Sequence, residues 1–187
     1  TDAFIEVCEG QGFDKEFESR RDVTLGEYLR MIEKKTAAVI AAATEIGGIL
    51  GGGSPRQVAA LRTFGEQLGL AFQIQDDLLD VDGEEQVFGK RIGGDIVEGK
   101  KTFLLLAALR HTRGADRALL RSLSPKNGRG RVARIRAIYR RAGALDAARR
   151  AIARSTSKAE RALGCLPRNR GRAMLAWLAG ELVERRS

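Results

Sequence analysis

Cysteine is almost missing from this sequence. Cys8 and Cys165 are the only two in 187 residues, and no CxxC or Cys/His spacing accompanies them. That excludes a disulfide scaffold and a zinc module and points to a reducing compartment. One histidine, His111, leaves no Ser/His/Asp or Cys/His constellation for nucleophilic catalysis. No uninterrupted apolar run approaches about 18 residues, so a membrane-spanning helix is not expected. The opening Thr1-Asp2-Ala3 has neither the basic nor the apolar segment of a secretory signal. Strand signals are as scarce. β-Branched residues are scattered, and no Asn-Gly or Asp-Gly turn lies between alternating apolar runs.

What is present is enough for a core. Hydrophobic residues make up 43% of the chain, too many for a disordered segment. The length suits one domain or part of a larger one. The formal charge is +9, but it is uneven. Residues 1–100 carry a net −8 and residues 101–187 a net +17. A basic half of this kind suggests a nucleic-acid or membrane-surface face, or Arg-rich solvated helix faces. The expected basic helix near 131–142 has no single basic stripe: Arg131, Arg134, Arg136 and Arg141 point several ways at 100° per residue. Residues 129–161 contain one aromatic, Tyr139, too few for a base-stacking surface. Solvated faces are the better reading, and no nucleic-acid partner is expected.

Apolar spacing of three and four residues dominates, which makes the fold class all-α. An opening helix is expected over about 3–18. Thr24 with Glu27 forms a capping box for a second helix, with Leu25, Tyr28, Leu29, Ile32, Thr36, Val39, Ile40, Ala43, Ile46 and Leu50 on its core stripe. Gly51-Gly52-Gly53 ends it. Ser54-Pro55 then opens a third helix carrying Val58, Leu61, Phe64, Leu68, Phe72, Ile74 and Leu79. A Gly- and charge-rich loop follows over about 83–99. Further helices are expected at about 101–111, 115–122, 131–142, 145–164 and 168–185.

The third helix carries an unusual polar arc. With Leu68 at zero, Leu61, Phe64, Phe72 and Leu79 fall within about 40°, the core stripe. Asp76 falls near 80°, Asp80 near 120°, Gln73 near 140° and Asp77 near 180°. Three carboxylates within one turn repel, at a helix end that disfavours anions. A cation would relieve this, and an oxygen-only donor set suits Mg²⁺. The alternative is a solvated acidic helix end. Gly65 and Gly69 border the arc, leaving room for a ligand or a close helix neighbour.

Lysines that suit a phosphate partner lie nearby in sequence. Lys90, Lys100 and Lys101 sit in and after the Gly-rich loop, with Asp95 between them; this is no P-loop, because the full spacing after a strand is missing. Lys35 and Thr36 lie among apolar helix positions, where a Lys is costly unless it meets an anion or reaches solvent.

Phe72-Gln73-Ile74-Gln75-Asp76-Asp77-Leu78-Leu79-Asp80 resembles the second aspartate-rich DDxxD motif of the trans-polyprenyl diphosphate synthases. The downstream Gly89-Lys90, Gly94-Asp95 and Gly99-Lys100-Lys101-Thr102 resemble that family in order and close spacing. So do Tyr28 to Ala37 with its Lys34-Lys35-Thr36, Glu9-Gly10-Gln11 with Asp14, and the closing segment Leu163 to Arg185. The resemblance spans almost the whole chain. It implies an all-α fold around a central cavity and a cytoplasmic, Mg²⁺-dependent prenyltransferase that joins isopentenyl diphosphate to an allylic diphosphate. By resemblance, Asp76, Asp77 and Asp80 bind Mg²⁺, while Lys35, Thr36, Gln73, Lys90 and Lys100 contact the diphosphate. Lys35, Gln73, Asp76 and Asp77 are the expected catalytic residues, and a homodimer the expected assembly.

One departure bears on this. The family's first aspartate-rich motif and its upstream residues for isopentenyl diphosphate do not occur in this sequence. The chain is therefore expected to be the C-terminal part of a single polyprenyl synthetase domain, inactive in prenyl transfer alone. A non-catalytic partner subunit of a heteromeric synthase is the alternative, though such a subunit has no need of a complete DDxxD cluster.

Overall fold

The computed structural model describes residues 2–83, 92–124 and 129–183. All regular structure among these residues is helical. Helix α1 spans Asp2–Ser19, α2 Leu25–Ile32, α3 Ala38–Leu50 and α4 Pro55–Asp82. After them come α5 (Gly94–Glu98), α6 (Phe103–His111), α7 (Gly114–Arg121), α8 (Val132–Arg141), α9 (Ala144–Ala162) and α10 (Arg170–Val183). The all-α expectation holds, and most expected boundaries fall within a few residues of these. Helix α5 arises inside the stretch read as a loop.

Local chemistry sets the helix starts. Thr24 N–H donates to Glu27 Oε2 at 2.8 Å while Glu27 N–H donates to Thr24 Oγ1 at 3.2 Å, a complete capping box for α2. Ser54 and Gln57 repeat it at the start of α4, at 2.9 and 3.4 Å. The Thr102 side chain caps α6 by accepting from Leu105 N–H at 3.4 Å.

The chain divides into two compact units. The first comprises described residues within 1–12, 29–73 and 151–185. Its core packs Phe64 and Leu68 of α4 against Ala159, Leu163 and Ala179. Helices α3 and α4 approach closely in this unit because both present small residues. A Cβ on Gly65 would lie 2.6 Å from Ala41 Cα, and one on Gly69 would lie 2.5 Å from Ala37 Cα. Thr44 Oγ1 donates to Leu61 O across the same contact at 2.7 Å.

This contact corrects the expected stripe on the second helix. Val39, Ile46 and Leu50 are exposed, Leu50 by 82%, whereas Ala37, Ala38, Ala41 and Gly48 are buried. The reason is a wide turn: Glu33–Ala37 is π-helical and breaks the 3.6-residue period between α2 and α3. Large apolar residues do not mark the buried face here, because α4 comes too close for them. Gly65 and Gly69 serve the neighbouring helix, the second of the two options open from sequence.

The second unit comprises residues within 13–28 and 74–150. Helix α6 runs through it with Phe103 to Ala108 all buried, together with Tyr28, Ile74, Leu78, Val81, Ile135, Ile138 and Tyr139. Part of the Arg excess pairs with carboxylates. Arg140 and Arg149 reach Asp82 at 3.3 and 2.7 Å, and Arg141 reaches Asp116 at 2.9 Å. These pairs are exposed and contribute little individually.

Candidate diphosphate and metal site

Two sets of predicted residues come together, one in each unit. In the first, the π-turn carries Lys34, Lys35 and Thr36. Lys34 Nζ pairs with Glu9 Oε2 at 2.6 Å, so α1 holds that lysine. Lys35 is half-buried. Thr36 Oγ1 donates to Gln73 Oε1 at 2.9 Å, joining the turn to α4. Gly10 makes this geometry possible: a Cβ there would sit 2.7 Å from Lys35 Cα and 2.9 Å from Lys34 C. Wide turns of this kind cluster at functional sites because they redirect side chains.

In the second unit, the three aspartates of α4 have three different environments. Asp76 is exposed and Asp80 half-buried. Asp77, placed farthest from the core stripe by the helical wheel, is 5% exposed. Beyond Ile74 the buried stripe of α4 swings to Ile74, Leu78 and Val81, and Asp77 borders that new stripe. Tyr28 Oη donates to Asp77 Oδ2 at 2.6 Å, and Phe103 N–H donates to the same oxygen at 2.8 Å. Tyr28 also meets the Phe103 ring edge-on, with centroids 6.3 Å apart. Burial and the Asp77 charge push the Tyr28 phenol well above its ordinary value, keeping it a donor.

Asp80 faces the start of α5. Gly94 N–H donates to its Oδ1 and Asp95 N–H to its Oδ2, both at 3.1 Å. Burial, then the Asp95 charge, pushes the Asp80 carboxyl up to about 6 against those donors. Lys100 Nζ pairs with Asp95 Oδ1 at 3.0 Å and Glu98 Oε2 at 2.9 Å, and these partners raise its pKa despite burial. Lys101 is pushed down by burial. Lys90 lies outside the described residues.

Among the described residues, no three His, Cys, Asp or Glu side chains form a group that could hold a metal ion by themselves. The donors present are carboxylate oxygens, with Asp76 open to solvent and Asp80 half-buried a turn on. That set suits a hard cation completing its shell with water and phosphate oxygens. Sequence reasoning treated Tyr28 as an apolar core position and missed its hydroxyl. The available signal was a phenol in a stripe of aliphatic residues, since buried phenols need partners.

The helical fold, the DDxxD arc and the Lys-Thr turn define an isoprenoid-synthase type of protein. The polyprenyl synthetase family model matches residues 1–142: the chain belongs to that family. It is 44% identical over 184 residues to the short chain isoprenyl diphosphate synthase of Methanothermobacter thermautotrophicus, covering 98% of this chain and 57% of that protein. It is 42% identical to the geranylfarnesyl diphosphate synthase of Natronomonas pharaonis, covering 96% of this chain and 52% of the relative. The chain thus spans about half the length of these relatives. Among solved structures, geranylgeranyl pyrophosphate synthetase of Pyrococcus horikoshii superposes with a TM-score of 0.92 at 35% identity, covering 98% of this chain and 56% of that one. A polyprenyl synthase of Caulobacter crescentus complexed with calcium and isoprenyl diphosphate gives 0.91 at 34% identity, covering 100% and 57%. No helix among the described residues is long and apolar enough to cross a membrane.

Proposed function

We propose that this chain supplies the metal- and diphosphate-binding part of a Mg²⁺-dependent prenyltransferase that condenses isopentenyl diphosphate with an allylic diphosphate. Residues 1–187 form the C-terminal part of one polyprenyl synthetase domain in this reading, acting in the cytoplasm as part of a homodimer. The observation that carries it is the acidic arc of α4. Asp76 is exposed and Asp80 half-buried a turn later, with Asp95 and Lys100 gathered against Asp80 in the same unit. Family membership and the calcium and isoprenyl diphosphate bound in the Caulobacter crescentus structure support it.

Asp76 and Asp80 would hold the cation, which when bound would neutralise charge developing on the departing diphosphate. Lys35, Lys90 and Lys100 supply compact positive charge to phosphate oxygens. Gln73, whose amide oxygen accepts from Thr36, would meet phosphate through its NH₂, the end of the amide that donates. Breaking the allylic C–O bond leaves its electron pair on the diphosphate. The carbocation takes the alkene electrons of isopentenyl diphosphate, and loss of a proton to the released diphosphate restores a double bond. No side-chain nucleophile is required.

The test is prenyl transfer by the full encoded protein with isopentenyl and geranyl diphosphates. Asp76→Ala lowers turnover at least 100-fold while the protein stays folded; near-normal turnover removes the metal assignment.

A further inference from the structure

We infer that Asp77, the second carboxylate of the DDxxD arc, is a positioning residue rather than a metal ligand, and that Tyr28 is its partner in that role. The inference rests on the reading above for the assignment of the cation to Asp76 and Asp80.

The geometry separates the three aspartates. Asp77 is 5% exposed, and one of its oxygens accepts from both Tyr28 Oη and Phe103 N–H. A buried carboxylate is tolerated where donors of this kind satisfy it. The two donors come from distant parts of the sequence, the start of α2 and the start of α6, and converge on one atom of α4. Asp77 therefore fixes where α6 begins. The segment just before α6 holds Lys100, which pairs with Asp95, and Asp95 N–H donates to Asp80. A tie at Phe103 N–H thereby sets the distance between the lysine-bearing segment and the acidic helix. The edge-on Tyr28–Phe103 contact holds the same junction. Asp76 and Asp80 lie on the part of α4 that solvent reaches.

The hydrogen-bond chemistry supplies the discriminating variant. Both described donors point at Oδ2, and an amide oxygen accepts two donors as a carboxylate oxygen does. Asp77→Asn keeps the tie but removes the charge a metal ligand needs. Asp77→Ala removes both. Tyr28→Phe removes one donor and keeps the ring.

The experiment uses the full encoded protein, with calorimetric titration of inorganic pyrophosphate at varied Mg²⁺, thermal unfolding, and turnover with isopentenyl and geranyl diphosphates. Asp76→Asn is expected to raise the half-saturating Mg²⁺ at least tenfold with little change in Tm. Asp77→Asn stays within threefold of wild type in half-saturating Mg²⁺ and close to it in Tm. Tyr28→Phe lowers Tm by roughly 3 °C and kcat about tenfold, with half-saturating Mg²⁺ and KM within threefold. Asp77→Ala lowers Tm by roughly 10 °C; should it fail to fold, Asp77→Asn and Tyr28→Phe carry the test. The inference is overturned if Asp77→Asn weakens Mg²⁺ as much as Asp76→Asn, or if Tyr28→Phe shifts neither Tm nor kcat. A wild-type protein without Mg²⁺-dependent pyrophosphate binding refutes the proposed function. The tie itself is then decided by Tm: retained in Asp77→Asn and lost in Asp77→Ala supports it, and equal loss in both refutes it.

Discussion

The two sets of site residues are held by opposite means. Around Lys35 and Thr36 the backbone is fixed by side chains that are missing. Gly10 and Gly69 let α1 and α4 press against the π-turn at distances that no Cβ would allow. Around Asp77 and Asp80 the backbone is fixed by side chains that are present, with carboxylate oxygens accepting N–H groups at the starts of α5 and α6. The first arrangement is sensitive to added volume and the second to removed oxygen. A substitution of each kind therefore tests each region, and the effects should not exchange.

The largest effect is expected at the buried oxygen. Asp77→Ala leaves Tyr28 Oη and Phe103 N–H without their acceptor, at about 1–3 kcal/mol for each group. Denaturant unfolding should show the combined loss; a change below about 1 kcal/mol would mean water replaces the carboxylate. Gly69→Ala comes next. Its methyl meets Ala37 Cα and Cβ, and overpacking of this kind costs about 1–3 kcal/mol. Unfolding midpoints measure it, and an unchanged midpoint would show that the π-turn and α4 separate freely.

Glycine identity alone is not the point, and α1 contains its own control. Nothing lies within 4 Å of a Cβ at Gly12, so Gly12→Ala should stabilise by up to about 1 kcal/mol through helix propensity. Gly10→Ala, two residues earlier, should destabilise and should also raise the KM for the allylic diphosphate. Equal effects at both positions would dissolve the distinction.

The smallest effect is a pH dependence at the start of α2. Glu27 is held at about 2, below its ordinary 4.5, first by Thr24 N–H, then by the Thr24 hydroxyl and Arg20. Its contribution is present above about 4.5 and is lost as pH falls toward 2. Glu27→Gln should remove that part of the acid-side loss of stability, as followed by thermal unfolding between pH 5 and 2.

Much of this fold was legible in the sequence because its signals are local. The Thr24–Glu27 box, the Gly51-Gly52-Gly53 stop and the Ser54-Pro55 start each act within four residues, and each holds. The acidic arc was legible only in part: Asp76 and Asp80 stay within reach of solvent, whereas Asp77, which the wheel placed farthest from the core, is buried. What escaped depends on partners far away in sequence. Tyr28 and Asp77 are 49 positions apart, and no periodicity connects them. The buried face of α3 escaped because Ala38, Ala41 and Gly48 carry little hydrophobic weight, while the larger Val39, Ile46 and Leu50 point outward. The π-turn escaped because a five-residue widening leaves no mark in spacing rules built on 3.6 residues per turn.

The proposed function stands or falls with a cation held for a diphosphate by the arc of α4. The direct measurement is the Mg²⁺ dependence of inorganic pyrophosphate binding to the full encoded protein, comparing wild type with Asp76→Ala. Binding should rise steeply with Mg²⁺ in the wild type and fall at least tenfold in the variant. Equal binding in both, or wild-type binding indifferent to Mg²⁺, would contradict it.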